Sequence, residues 1–124
     1  MEIPEVSSGY QVLRGVDAQP LSRDGLAILA SLLEAEAGPD DIETFELSWA
    51  AGDGHARHRH NIGLAVAVTQ GSFTILFGVD GEHPVTANEG DYVLIGAETW
   101  HDEKTTDGVE MVGAYIGSLE TFDG

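Results

Sequence analysis

The sequence predicts an all-β fold, a small barrel or a jelly-roll pair of sheets, and three observations carry that prediction. Sixteen glycines punctuate the 124 residues. Helical periodicity is absent beyond about residue 40, and turn signals recur at short intervals between apolar stretches. A chain of this length supports one domain with a real core rather than two. Residues 1–25 are assigned to an N-terminal arm with a short strand, and residues 26–124 to the barrel.

The elements follow in order. A short strand is expected near Tyr10–Leu13. The next stretch, Gly25–Ala37, is ambiguous, because Leu26, Leu29 and Leu33 fall at helical spacing after Asp24 and its alanines and leucines favour helix. A strand is preferred there, since Gly38-Pro39-Asp40-Asp41 reads as a turn into Ile42–Trp49, whose alternating Phe45, Leu47 and Trp49 suit a hairpin partner. The histidine-rich segment follows Gly52-Asp53-Gly54, and the apolar run Leu64–Val68 is expected to end at a Gln70-Gly71 turn. In Ser72–Val79, Phe73, Ile75 and Phe77 occupy one face at period two. Asp80-Gly81 returns the chain to Pro84–Ala87, Asn88-Glu89-Gly90 turns it into Asp91–Ile95, and Val109–Gly117 closes the set with Met111 and Tyr115. No repeat, linker or low-complexity tract interrupts this order.

Composition narrows the function. With 22 Asp plus Glu against five Lys plus Arg, the formal net charge is −17, which repels phosphate backbones and anionic lipid. Nucleic acid and membrane surfaces are therefore not expected partners. The acidity fits either a protein kept dissolved at high salt or an ordinary acidic one. Hydrophobic residues make up 42% of the chain, yet no apolar run approaches the roughly 20 residues that span a bilayer. Met1-Glu2-Ile3-Pro4-Glu5 lacks the basic start and apolar stretch of a secretory signal, so a cytoplasmic location is expected. Cysteine is absent, which removes disulfides and thiolate chemistry and leaves nitrogen and oxygen to hold any metal.

Imidazole binds first-row divalent ions when neutral, and two rings share an ion only if they point the same way. His58 and His60 meet that condition, because residues two apart on a strand lie on one face. A third ligand must come from another strand, and His101, just past Asp91–Ile95, is suitably placed if the two strands are neighbours. The second nitrogen of each ring then needs an acceptor. Arg57 and Arg59 would face the other way, toward outer carboxylates. His55 is expected to be a loop histidine, with a fourth ligand as the alternative, and His83 to be exposed.

These segments resemble the two motifs of the cupin superfamily. The first motif runs glycine, five residues, H-x-H, three or four residues, glutamate, six residues, glycine; this chain has Gly52, His58, His60 and Gly71. In the second, Gly90 begins the pattern, Gly96 stands for its proline, Glu98 for its second glycine, and His101 falls in register. The similarity spans about Ile42 to Gly117 and implies a single-domain cupin, or double-stranded β-helix, barrel. One departure matters: the glutamate position holds Leu64, or Ala65 at the longer spacing, and neither binds a metal.

The resemblance thus implies one divalent ion on His58, His60 and His101, with Fe(II) favoured and Zn, Ni, Mn or Cu as other imidazole-compatible ions. A carboxylate-free shell is expected, with open positions for a chelating small-molecule substrate and dioxygen, as in cupin dioxygenases. The alternatives are a ligand-binding or sensory module and a redox-neutral isomerase or lyase. Glu98, Asp102 and Glu103 surround His101 and either belong to the general acidic surface or supply a carboxylate as ligand, base or acceptor for a ring nitrogen, with Glu98 the first candidate for a catalytic carboxylate; Tyr115 is the candidate hydroxyl donor. Leu64, Phe73, Phe77, Trp100 and Met111 are expected to line the substrate pocket, with Trp100 the first choice of wall. A homodimer is expected by resemblance. Because free imidazole titrates near about 6.5, metal affinity should fall as pH drops through that region.

Overall fold

A computed structural model describes residues 9–33 and 42–123. The Met1–Glu5 segment and the Gly38-Pro39-Asp40-Asp41 turn lie outside the described residues. Nine strands and one helix run in the order β1 (Tyr10–Leu13), α1 (Arg23–Leu32), β2 (Glu43–Trp49), β3 (Gly54–His60), β4 (Leu64–Phe77), β5 (His83–Asn88), β6 (Tyr92–Ile95), β7 (His101–Lys104), β8 (Val109–Tyr115) and β9 (Thr121–Asp123).

Strand β4 organises the molecule because it runs through both sheets. Its first half pairs with β6 and β8, giving the order β1-β6-β4-β8-β2, and its second half pairs with β5 and β7, giving β5-β4-β7-β3-β9. Every pairing is antiparallel, as expected for an all-β fold. The expected turn at Gln70-Gly71 is instead a bend within this one 14-residue strand. Register against β8 shifts between Val68 and Gln70, and Gly71 takes a φ of 77°, a conformation glycine adopts at little cost. The extra residue, Thr69, has no register partner in β8, and beyond it the strand continues into the second sheet.

Leu64, Val66, Val68, Val93, Ile95, Val109 and Met111 from the first sheet form one cluster with Phe73, Ile75, Phe77, Val85 and Ala87 from the second. The two sheets therefore face each other around a common interior. Alternation sends Ala65 and Ala67 to the opposite face of β4, where they pack with Leu13, Tyr92 and Ala114 beneath Leu29 and Leu32 of α1. Both faces of this half of β4 are buried, which explains its unbroken apolar run.

The strand expected over Gly25–Ala37 is thus corrected to a helix for its described part. Ser22 caps it, accepting a hydrogen bond from the Gly25 backbone N–H at 3.1 Å, with Asp24 in the first turn. The leucine spacing wins because the small alanines of β4 leave an apolar face that a helix covers and a hairpin would not. Strand β2 finds its partner in β8, from Glu43 opposite Tyr115 to Trp49 opposite Val109. Among the described residues, no helix is long and apolar enough to cross a membrane.

Candidate metal centre

Strands β3 and β7 lie side by side in the second sheet with His58 directly opposite His101. Period two carries His60 to the same interior face as His58. One ring nitrogen from each of His58, His60 and His101 lies within 4.8 Å of the others. All three residues are buried, at 1%, 5% and 0% exposure. The predicted convergence of the three imidazoles is therefore what the structure places here.

The rings are held by their Nδ1 atoms. His58 Nδ1 lies 2.6 Å from the Ala56 carbonyl, His101 Nδ1 2.9 Å from the Thr99 carbonyl, and His60 Nδ1 3.1 Å from Thr121 Oγ1. A carbonyl only accepts, so Nδ1 of His58 and His101 carries the proton and Nε2 presents a lone pair in the neutral ring. Nε2 of His60 and of His101 is buried without a hydrogen-bond partner. Such groups are costly to bury, roughly 1–3 kcal/mol each. Three neutral imidazole nitrogens at this spacing fit a divalent transition ion.

Among the described residues, the set of donor atoms within 4.8 Å of one another holds three imidazoles and no carboxylate, as expected, but one carboxylate stands close beside it. Glu103, two residues beyond His101 on β7, also turns inward, with its side chain only 9% exposed. Its Oε1 stands 3.1 Å from His101 Nε2 and 3.4 Å from His58 Nε2. Close approach of the strands beside it needs Gly54, where a Cβ would lie 2.2 Å from the Glu103 carbonyl oxygen. The sequence did hold a signal for Glu103, since the alternation that pairs His58 with His60 also pairs His101 with Glu103.

Electrostatics follow from this packing. Burial, reinforced by His101 and His58, lowers the His60 imidazole to about 4. Burial also opposes protonation of His58, but the Glu103 carboxylate and the Ala56 carbonyl outweigh it and the net shift is upward. For Glu103 burial alone would raise the carboxyl; His101 and His58 overcome it and hold the group at about 2. Near neutral pH the site offers a neutral His60 beside an anionic Glu103.

The other candidates are distributed differently. Glu98 lies on the loop before β7, exposed and ion-paired with Arg59. Trp100 is at the same place, its ring 5.3 Å from the Arg59 guanidinium, which also sits 4.7 Å from Phe122. Both residues engage Arg59, on the face of β3 opposite the imidazoles. Leu64, Phe73, Phe77 and Met111 belong to the interior cluster, and the Phe77 ring centroid is 6.1 Å from that of His101. Tyr115 is half-buried on β8 against Phe45, with ring centroids 6.2 Å apart. His55 is part of β3 rather than a loop, and a register shift between it and His58 lets the two rings stack at 3.8 Å. His83 is exposed at the start of β5.

No family model matches the sequence, and no curated protein matches it. Solved structures do. A cupin-2 domain containing protein from Shewanella frigidimarina matches with a TM-score of 0.55 at 15% identity, over 65% of this chain and 76% of that one. Oxalate decarboxylase from Bacillus subtilis, described for its Mn(II) centres, matches with a TM-score of 0.60 at 18% identity, over 67% of this chain. Salicylate 1,2-dioxygenase from Pseudoaminobacter salicylatoxidans, solved with gentisate, matches with a TM-score of 0.59 at 11% identity, over 99% of this chain. The matches cover only 24% and 31% of those two longer proteins. These likenesses establish the cupin fold, a double-stranded β-helix.

Proposed function

We propose that this cupin-fold chain binds one divalent metal ion, Fe(II) by preference, through His58, His60 and His101, and oxygenates a small chelating organic substrate. The observations that carry the reading are three buried imidazoles with one nitrogen each within 4.8 Å of the others, and the lack of any hydrogen-bond partner for Nε2 of His60 and His101. A bound ion of this kind supplies Lewis acidity and, if redox-active, a means of bringing substrate and dioxygen together. The rest is work for the chain's own residues. The Ala56 and Thr99 carbonyls hold the His58 and His101 rings in the tautomer that aims Nε2 inward. Phe77 and Ile75, fully buried on the adjoining stretch of β4, keep bulk water from that side. Solved neighbours that include a dioxygenase and a decarboxylase support metal-dependent chemistry on small organic acids.

The test is anaerobic loading with Fe(II), followed by oxygen uptake across diketones, thiols, flavonols and hydroxybenzoates. Uptake that depends on both metal and substrate is the expected result. Stoichiometric binding without uptake would move the chain to the ligand-binding reading, and turnover that persists without dioxygen would move it to the redox-neutral one. The same reading takes the protein as a cytoplasmic homodimer; light scattering on the eluting peak should give twice the chain's 13.2 kDa.

A further inference from the structure

We infer that Glu103 is a fourth metal ligand, supplied by β7, which restores from a different strand the carboxylate that Leu64 removes from the end of the first histidine segment. The inference rests on the metal-binding reading above and adds to it an anionic oxygen donor.

Three observations converge on this role. The Glu103 side chain is 9% exposed and reaches the imidazoles from the Nε2 side, at 3.1 Å from His101 and 3.4 Å from His58. A carboxylate that merely orients a ligating histidine bonds to the nitrogen that faces away from the metal. On His58 and His101 that nitrogen is Nδ1, and the Ala56 and Thr99 carbonyls already occupy it. Glu103 Oε1 therefore approaches two of the three rings from the side a metal would take, although it stands outside the set of three imidazole nitrogens that lie within 4.8 Å of one another.

Alignment points the same way. His101 Nε2 makes no hydrogen bond, although Glu103 Oε1 is 3.1 Å away. A lone pair on nitrogen and a carboxylate oxygen repel each other directly unless a positive charge lies between them. Their off-line approach, with His60 Nε2 also unpartnered, suits donors aimed at a shared third point rather than at each other. Finally, alternation along β7 puts Glu103 on the face of His101, while across the pair it stands opposite His55, beyond the register shift that separates His55 from His58.

An N3O set carrying one negative charge suits harder ions than three imidazoles do, because carboxylate favours Mn(II) and Fe(II) where imidazole alone also suits Ni(II) and Cu(II).

The experiment compares metal affinity in the wild type and in Glu103→Gln, which keeps shape but removes the charge. Affinities for Mn(II) and Ni(II) are measured by competition with a chromophoric chelator, alongside a crystal structure of the wild type with Mn(II). Glu103→Gln is expected to weaken Mn(II) binding by about 100-fold or more and Ni(II) binding by about 10-fold or less, and the Mn(II)-bound structure to show a Glu103 oxygen at about 2.0–2.2 Å from the ion. A purely structural carboxylate would shift both ions equally, and that result would overturn the inference, as would an ion on the three imidazoles with the carboxylate beyond about 3 Å. If Glu103→Gln fails to fold, the wild-type crystal structure decides alone. Wild-type protein that takes up neither ion would sink the metal-binding reading itself, and this inference with it.

Discussion

Strands β6 and β7 occupy equivalent places in the two sheets and do opposite things. Each has four residues, and each pairs antiparallel with β4, β6 along Leu64–Ala67 and β7 along Thr74–Phe77. The inward residues of β6 are Val93 and Ile95, sealed in the apolar cluster, and α1 covers its outward side at Tyr92 and Leu94. The inward residues of β7 are His101, fully buried, and Glu103, whose side chain is 9% exposed, and they are not mutually satisfied. Apolar burial of the first kind stabilises the barrel without further help. Burial of the second kind costs stability unless something joins the donors, and the proposed function assigns that part to a metal ion.

Four measurements would break or sharpen that contrast. The largest effect is expected from putting β7's chemistry into β6: Val93→Asn buries an amide among side chains that offer no partner and should cost about 3 kcal/mol or more in urea melts. A loss below about 1 kcal/mol would mean that the β6 side is as tolerant of polar groups as the β7 side.

Next is a pH effect, measured in chelator. Folded protein keeps His60 neutral down to about 4, whereas the unfolded chain takes up that proton near 6.5. Between these values the unfolded state binds more protons, so stability falls as pH falls, by up to about 3 kcal/mol from this group. His58, shifted upward, pulls the other way, which makes the difference between wild type and His60→Gln the informative curve. That difference should shrink steadily from pH 6.5 to pH 4; a flat difference would remove His60 from the account.

His101→Val removes a ring whose Nε2 is unpartnered but leaves the Thr99 carbonyl and the Glu103 carboxylate without it, so the variant in chelator should unfold about 1–3 kcal/mol below wild type. Removing the helix cap with Ser22→Ala should cost about 1 kcal/mol, felt on the β6 side alone, with metal affinity unchanged.

The same contrast explains what could be read from the sequence. Histidine spacing and the flanking glycines placed His58, His60 and His101 together because strand alternation is a local rule that burial of one face enforces. The Asp80-Gly81 hairpin was legible for a similar reason, since Gly81 takes a φ of 67° that few other residues tolerate. The helix was not, because a ten-residue amphipathic stretch and a strand look alike until Ala65 and Ala67 are seen to form a face that needs covering. Gly71 looked like a chain reversal and proved to be a bend, a distinction set by β8 more than 35 residues away. Among the acidic residues near His101 the sequence put Glu98 first, and charge alone could not show which carboxylate turns inward. Glu98 is drawn off by Arg59, while Glu103 is carried inward by the same period-two geometry that served the histidines.

Metal stoichiometry and affinity, measured anaerobically on the untagged wild type and on His101→Val, test the central claim most directly. The account predicts one divalent ion per wild-type chain and at least about a hundredfold weaker binding in the variant, with its fold intact. A wild type that binds no ion, or a variant that binds as tightly, would contradict it.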